Sequence, residues 1–160
     1  MYKLDFFTQY CQFYLVNIAE VSEMDDQEFW SDKALEERLA VEKNTLGVTV
    51  ENDFSIVRGD LEVLEAPNED IDPNADHIVE GSLVITSGAM EVQDCPNSAT
   101  ILAVPLDNGA YRVRIYSYNL NDPYNEIDDL NPNDHYRIEI WKEAPSDRKV
   151  LKQWTPNYKG

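Results

Sequence analysis

The stretch Gly109-Ala-Tyr-Arg-Val-Arg-Ile-Tyr-Ser-Tyr118 decides the fold of this protein. Its side chains alternate between two faces: Tyr111, Val113 and Ile115 on one, and Arg112, Arg114, Tyr116 and Tyr118 on the other. A two-residue period of this kind is that of an extended β-strand. The stretch therefore predicts a long strand with one face in a hydrophobic core.

A turn signal stands immediately before this strand. Asn108-Gly109 suits a type I′ turn, in which both central residues need positive φ angles. We therefore expect residues 100–104 to turn back on residues 110–118 and form an antiparallel hairpin.

Further strands are predicted from the same alternation and from the turn residues between them. They span residues 6–18, 46–50, 54–65, 77–86, 90–93, 136–141 and 149–154, the last as a short edge strand. Gly59-Asp60 predicts a bulge or bend within its strand.

One helix is predicted from Ser31 to about Val41. Ser31 is a suitable N-cap, Asp32 lies in the first turn, and Ala34, Leu35 and Leu39 would form its apolar stripe. Together these elements predict one mostly β domain over residues 1–160. It would be an antiparallel β-sandwich of eight or nine strands with one short helix, and a flattened barrel is the alternative.

The chain is strongly acidic. It has 13 basic and 31 acidic side chains, a net charge of −18. This argues against nucleic acid as a partner, because nucleic-acid binders neutralise phosphates with clustered Lys and Arg. Residues 1–140 carry a net charge of −21 and residues 141–160 a net charge of +3. We expect the basic end to fold back on the acidic body.

Two cysteines, Cys11 and Cys95, are too few for a disulfide framework or a metal site. We expect both to be reduced, buried thiols, as in a cytoplasmic protein. Gln12 and Asn17 interrupt the only apolar run near the start, so neither a signal peptide nor a membrane span is predicted. No motif predicts a cofactor.

Two acidic clusters stand out as candidate binding residues. Asp70, Asp72, Asn74 and Asp76 recur at every second residue, as calcium ligands do in an EF-hand. The match to the EF-hand loop fails at later positions. Ala75 stands at position six, where the loop requires Gly, and Gly81 stands at position twelve, where it requires a bidentate Glu. A calcium-stabilised loop stays open as an alternative. The second cluster, Asp122, Glu126, Asp128, Asp129 and Asp134, lies in a long predicted loop over residues 119–134.

Catalytic motifs are absent from the sequence. His77 and His135 each lie beside an Asp at a strand entrance, but adjacent strand residues point to opposite faces. There is no nucleophile elbow and no phosphate-binding glycine loop. We therefore predict a protein that is not an enzyme. A hydrolase that uses His135 or a pair of acids is the third alternative.

The polar face of the central strand is a further candidate surface. Arg112, Arg114, Tyr116 and Tyr118 would lie beside Arg137, Glu139 and Trp141 of the next strand. Arg, Tyr and Trp dominate interface hot spots. Alternatively, these arginines pair with acids on neighbouring strands.

Four segments carry a resemblance to a known family. They are Tyr10-x-Gln12-Phe13, Trp30-Ser-Asp32-Lys-Ala34-Leu35-Glu36, Gly47-Val-Thr-Val50-Glu51 and Leu106-x-x-Gly109-x-Tyr111. Over roughly residues 8–118 the chain resembles the competence protein J family. That resemblance implies a small β-rich bacterial protein related to an inhibitor of a DNA-entry nuclease, and it assigns no binding residues.

Charge and resemblance lead to the same hypothesis: an acidic inhibitor or immunity-type protein whose partner is a basic protein such as a nuclease. The alternative is a calcium- or small-ligand-binding β-sandwich module without catalytic activity. The candidate binding residues are Asp70, Asp72, Asp76, Asp122, Glu126, Asp128, Asp129, Arg112, Arg114, Tyr116, Tyr118 and Trp141.

Overall fold

Two β-sheets and one short helix make up the computed structural model, which describes residues 1–18 and 29–156. The strands are β1 Tyr2–Gln9, β2 Gln12–Val16, β3 Leu39–Glu42, β4 Thr45–Thr49, β5 Phe54–Val63, β6 His77–Ile85, β7 Ala89–Gln93, β8 Thr100–Pro105, β9 Gly109–Tyr118, β10 His135–Lys142 and β11 Lys149–Lys152. The helix, α1, spans Asp32–Glu37.

The large sheet has the strand order β1-β5-β10-β9-β6-β11, and the small sheet has the order β3-β4-β2-β7-β8. All neighbouring strands are antiparallel except β5 and β10, which run parallel. The predicted mostly β sandwich with one short helix is confirmed, although the described residues contain eleven strands rather than eight or nine. The two sheets have separate edges, so the alternative of a barrel is wrong.

The core lies between the two sheets and follows the alternation of the strands. Val113 and Ile115 of β9 are buried there, together with Phe13 and Leu15 of β2 and Leu46 of β4. Each is at most 1% exposed. The inward face predicted for the central strand is therefore confirmed.

The predicted first strand over residues 6–18 is wrong, because the chain changes sheets within it. Tyr10 and Cys11 both adopt left-handed backbone conformations, with φ angles of 60° and 57°. They separate β1, which pairs with β5, from β2, which pairs with β4 and β7.

The predicted hairpin between residues 100–104 and 110–118 is also wrong. β8 pairs with β7 in the small sheet, whereas β9 lies between β6 and β10 in the large one. The Asn108 side chain does stabilise a turn, since its Oδ1 accepts a hydrogen bond from the Gly88 amide at 2.8 Å. That turn carries the chain from one sheet to the other instead of folding it back on itself.

The helix begins as predicted but ends four residues early. The Ser31 hydroxyl accepts a hydrogen bond from the Ala34 amide at 3.1 Å, which confirms the N-cap. Arg38 then adopts a left-handed conformation (φ 63°), and Leu39 is fully buried in β3. Pairing with β4 and burial of Leu39 override the helical pattern.

The bulge predicted at Gly59-Asp60 is wrong as well, because β5 stays in register with both of its neighbours. Gly59 instead permits a close approach of two backbones. A Cβ atom there would lie 1.6 Å from the carbonyl oxygen of Tyr136 on β10.

The described part of the basic end, residues 141–156, folds back on the body, as predicted. β11 forms the edge of the large sheet by pairing with β6. The Arg148 guanidinium pairs with Glu37 and donates to the carbonyl of Leu39 at 2.9 Å. Lys152 Nζ donates to the carbonyl of Ala75 at 2.6 Å. Over the described ranges, no helix is long and apolar enough to cross a membrane.

Candidate protein-binding surface

Both predicted acidic clusters lie at one end of the large sheet. The loop of residues 66–76 enters β6 at His77, and the loop of residues 119–134 joins Tyr118 to His135. β9 pairs with both strands there. The loops touch directly, since the Leu120 amide donates to Asp76 Oδ2 at 2.8 Å.

Asparagine side chains hold the loop of residues 119–134 in shape. Asn125 Oδ1 accepts hydrogen bonds from the amides of Ile127 and Asp128 at 3.1 and 3.3 Å. Asn133 Nδ2 donates to the carbonyls of Asp122 and Tyr124. These bonds satisfy the loop backbone internally, so the loop is preformed.

This loop presents apolar and acidic side chains together. Ile127 is 97% exposed, Tyr124 64% and Leu130 55%. The same segment exposes four carboxylates: Asp122, Glu126, Asp128 and Asp129. We call residues 122–130 the acidic–apolar loop. Exposed aliphatic and aromatic side chains within a polar rim are typical of protein-binding surfaces.

Neighbouring turns extend this surface. Ser55 Oγ donates to the carbonyl of Asp129 at 2.8 Å, which places the start of β5 against the acidic–apolar loop. Beside Ser55, Phe54 is 64% exposed, and the exposed Asp53 accepts a hydrogen bond from the amide of Tyr10. The end of the sandwich therefore carries several exposed rings among carboxylates.

The carboxylates of the loop of residues 66–76 have structural partners. Asp72 accepts hydrogen bonds from the Asn74 amide and the Tyr118 hydroxyl, both at 2.9 Å, and these bonds lower the pKa of Asp72. Burial, and then the bond to Asp72, raises the pKa of Tyr118. Asp70 is exposed. Among residues 1–18 and 29–156, no group of three or more His, Cys, Asp or Glu side chains is placed to hold a metal ion.

The arginines of the central strand form an internal ion network. Glu80 accepts from Nε of Arg112 at 3.0 Å and from Nε of Arg114 at 2.7 Å. The Arg114 guanidinium also lies 4.9 Å from the ring centre of Trp141. Arg112 and Arg114 therefore pair with an acid of a neighbouring strand, which was the alternative to a binding surface.

Two segments cover this network. The carbonyl of Asn68 accepts from Arg114, and the carbonyls of Ser146 and Asp147 accept from Arg112. As a result Arg112, Arg114, Tyr116 and Trp141 are each at most 6% exposed, and Tyr118 is half-buried. The sequence pattern correctly predicted that these side chains share one face of the sheet. It did not predict that two other segments of the chain cover that face.

The two histidines lie in different surroundings. His135 is exposed and stacks on Tyr118 with ring centres 4.5 Å apart. Its neighbour Asp134 is buried and accepts from the Tyr136 hydroxyl at 2.6 Å, so the two side chains point apart, as predicted. His77 is fully buried between the carbonyl of Glu37 and the amide of Trp154.

A cleft beside the acidic–apolar loop escaped the sequence analysis. Arg38 forms part of its floor, and Trp154 and Tyr124 are among its walls. The helix prediction placed Arg38 in the middle of a helix, where no cleft is expected. Only the backbone conformation of the folded chain shows that Arg38 ends the helix with a left-handed φ angle.

Comparisons with known proteins give no match by sequence: no family model matches the chain, and no curated protein does. Solved structures do match. ComJ of Bacillus subtilis, described as an inhibitor of the DNA-degrading activity of NucA, gives a TM-score of 0.63 at 14% identity, covering 89% of this chain and 96% of ComJ. The fold of this chain is similar to that of ComJ. A protein described as crocagin biosynthetic gene J gives a TM-score of 0.56 at 14% identity, covering 89% and 97%.

These matches confirm the expected resemblance to the competence protein J family as a likeness of fold. The likeness extends over 89% of the chain, well beyond residues 8–118.

Proposed function

We propose that this chain is an inhibitor-type protein that binds a basic protein, of the nuclease type, through the acidic–apolar loop. One observation carries the proposal: a preformed loop exposes Ile127, Tyr124 and Leu130 together with four carboxylates of the same nine residues. The fold likeness to ComJ, a nuclease inhibitor, supports the same class of function.

Electrostatics supports the choice of a basic partner. The net charge of −18 attracts a cationic surface and repels nucleic acid. A nuclease must attract phosphates, so the carboxylates of the acidic–apolar loop can occupy its phosphate-binding positions. The net charge and the exposed Ile127 have complementary effects. The charge accelerates the encounter with the basic partner, and Ile127 supplies apolar contact area in the complex.

Among the residues considered from the sequence, the exposed ones are proposed as contacts: Asp70, Asp122, Glu126, Asp128 and Asp129. Arg112, Arg114, Tyr116 and Trp141 are buried, so we assign them a structural role. Arg114 supports the loop of residues 66–76, and Arg112 supports residues 146–147. We also propose a cytoplasmic location, because Cys11 and Cys95 form no disulfide.

The test is a DNA-degradation assay with a cationic nuclease of the NucA type, to which the purified chain is added. We expect stoichiometric inhibition and an association rate that falls steeply with ionic strength. Ile127→Asp should weaken inhibition by about 30-fold, the loss typical of a hot spot, and leave stability unchanged because the side chain is exposed.

A charge-matched pair of variants provides the control. Glu126→Gln with Asp129→Asn removes two charges from the acidic–apolar loop, and Glu65→Gln with Asp107→Asn removes two exposed charges at the opposite end of the sandwich. The first double variant should slow association much more than the second. Equal effects of the two would contradict the proposed contact surface, and a rate independent of salt would contradict electrostatic docking.

A further inference from the structure

The cleft beside the acidic–apolar loop has a volume of about 870 Å³. It lies where helix α1, the turn before β5, the loop of residues 119–134 and the segment after β11 meet. Its lining residues are Leu35, Arg38, Thr49, Glu51, Leu120, Asn121, Pro123, Tyr124, Trp154 and Pro156. Clefts of this size and composition accommodate small ligands.

Two residues that line the cleft each have a buried polar atom with no hydrogen-bond partner among residues 1–18 and 29–156. Arg38 is 5% exposed; its Nη1 donates to Glu51 at 3.0 Å and its Nη2 to the carbonyl of Thr49 at 3.1 Å. Arg38 Nε and Thr49 Oγ1 are buried, and neither has a hydrogen-bond partner within the described part of the chain. Since buried polar groups are nearly always paired, these two atoms point to a missing partner.

The walls of the cleft are apolar and aromatic. The Trp154 ring lies over the Arg38 guanidinium, 5.3 Å from its centre. Trp154 Nε1 donates to Asn121 at 2.9 Å, which holds the indole across the floor. On the other side, Tyr124 and Pro123 face the cleft from the acidic–apolar loop.

The charges around the floor disfavour an anion. The positive charge of Arg38 is matched by Glu51. A second carboxylate, the buried Asp134, lies 3.4 Å from the Glu51 amide. The charge of Arg38 is thus already neutralised, and the carboxylates of Glu51 and Asp134 would repel an anionic ligand.

We propose that this cleft binds an uncharged ligand that carries an amide group on an apolar body. The amide carbonyl accepts from Arg38 Nε, the amide N–H donates to Thr49 Oγ1, and the apolar body lies between Trp154 and Tyr124. Because the Trp154 ring lies over the Arg38 guanidinium, binding in this mode requires the indole to move outward. The site shares Tyr124 with the acidic–apolar loop, but the ligand proposal does not rest on the proposed inhibitor function.

The experiment is an NMR titration of the full chain with three probes that share one body. N-acetyl-tyrosinamide is uncharged, N-acetyl-tyrosine is an anion and tyrosinamide is a cation. We follow the Arg38 Nε–H and the Trp154 indole N–H signals. The uncharged probe should shift both signals saturably, with a Kd of about 1 mM or tighter, and bind at least about tenfold more tightly than the anion.

Thr49→Val tests the floor without harming the fold. The hydroxyl that it removes has no partner among the described residues, so stability should be unchanged or higher, while affinity for the uncharged probe should fall about tenfold. Lys142→Gln, at the cavity on the opposite end, is the control and should bind the probe normally. The proposal is overturned if the two signals do not move, if the anion binds as well as the uncharged probe, or if Thr49→Val binds unchanged.

Discussion

Acidification should destabilise this protein through His77. The ring is fully buried; its Nε2 donates to the carbonyl of Glu37 at 2.7 Å, and its Nδ1 accepts from the Trp154 amide at 3.0 Å. A proton on Nδ1 would face that amide N–H and break the contact. Burial is the main cause that lowers the pKa of His77 from 6.5 to about 4, with the nearby Arg38 charge acting in the same direction.

The size of the effect follows from proton linkage. Between pH 6.5 and about 4 the unfolded chain binds a proton at His77 that the folded chain does not. The contribution of the neutral ring is therefore complete above pH 6.5 and is lost as the pH falls toward about 4. A gap of about 2.5 in pKa corresponds to a loss of about 3 kcal/mol in the free energy of unfolding.

This loss in the free energy of unfolding can be measured by urea unfolding. The wild type and His77→Gln are unfolded at pH values from 7 to 4, and unfolding is followed by circular dichroism. All other groups titrate in both proteins, so the difference between the two curves isolates His77. We expect the wild type to lose about 3 kcal/mol more than the variant. Parallel curves would refute the reasoning, as would an NMR titration of His77 in the wild type with a pKa near 6.5.

Three further variants test the fold. Gly59→Ala places a methyl group against the backbone of Tyr136, so we expect loss of the β5–β10 pairing. This would be seen as aggregation or as a fall in melting temperature of more than about 10 °C, roughly what 3–5 kcal/mol produces in a domain of this size; an unchanged melting temperature would contradict the geometry. Glu80→Gln leaves two buried guanidiniums without their shared carboxylate, so the free energy of unfolding in urea should fall by about 3–5 kcal/mol. The control Glu65→Gln changes an exposed side chain and should lower it by less than about 0.5 kcal/mol. Ser31→Ala removes the cap of α1 and should cost about 1 kcal/mol; no change in the urea midpoint would mean that packing alone holds this helix.

Local patterns in the sequence predicted individual strands well and their partners poorly. The alternation at Tyr111, Val113 and Ile115 is set by which side chains must be buried, so it survives in β9. Asn108-Gly109 specifies a turn, but a turn of the same chemistry can join two strands of one sheet or two different sheets. Which occurs depends on β6 and β10, which flank β9 from distant parts of the chain.

For the candidate surface, too, the sequence predicted local features but not the contacts between distant segments. The acidic side chains of residues 119–134 were recognisable by composition, but their meeting with the loop of residues 66–76 follows from the strand order. The burial of Arg112 and Arg114 depends on backbone carbonyls of Asn68 and Ser146, and no side-chain pattern reveals such partners. Arg38 was missed because tertiary contacts ended its helix early.

The position of β10 has a consequence for how the cell makes this protein. β10 follows both β5 and β9 in the chain, yet it lies between them in the large sheet. A nascent chain that stops before residue 135 leaves those two strands without their common neighbour. β5 and β9 can therefore gain their common neighbour only after β10 has emerged from the ribosome.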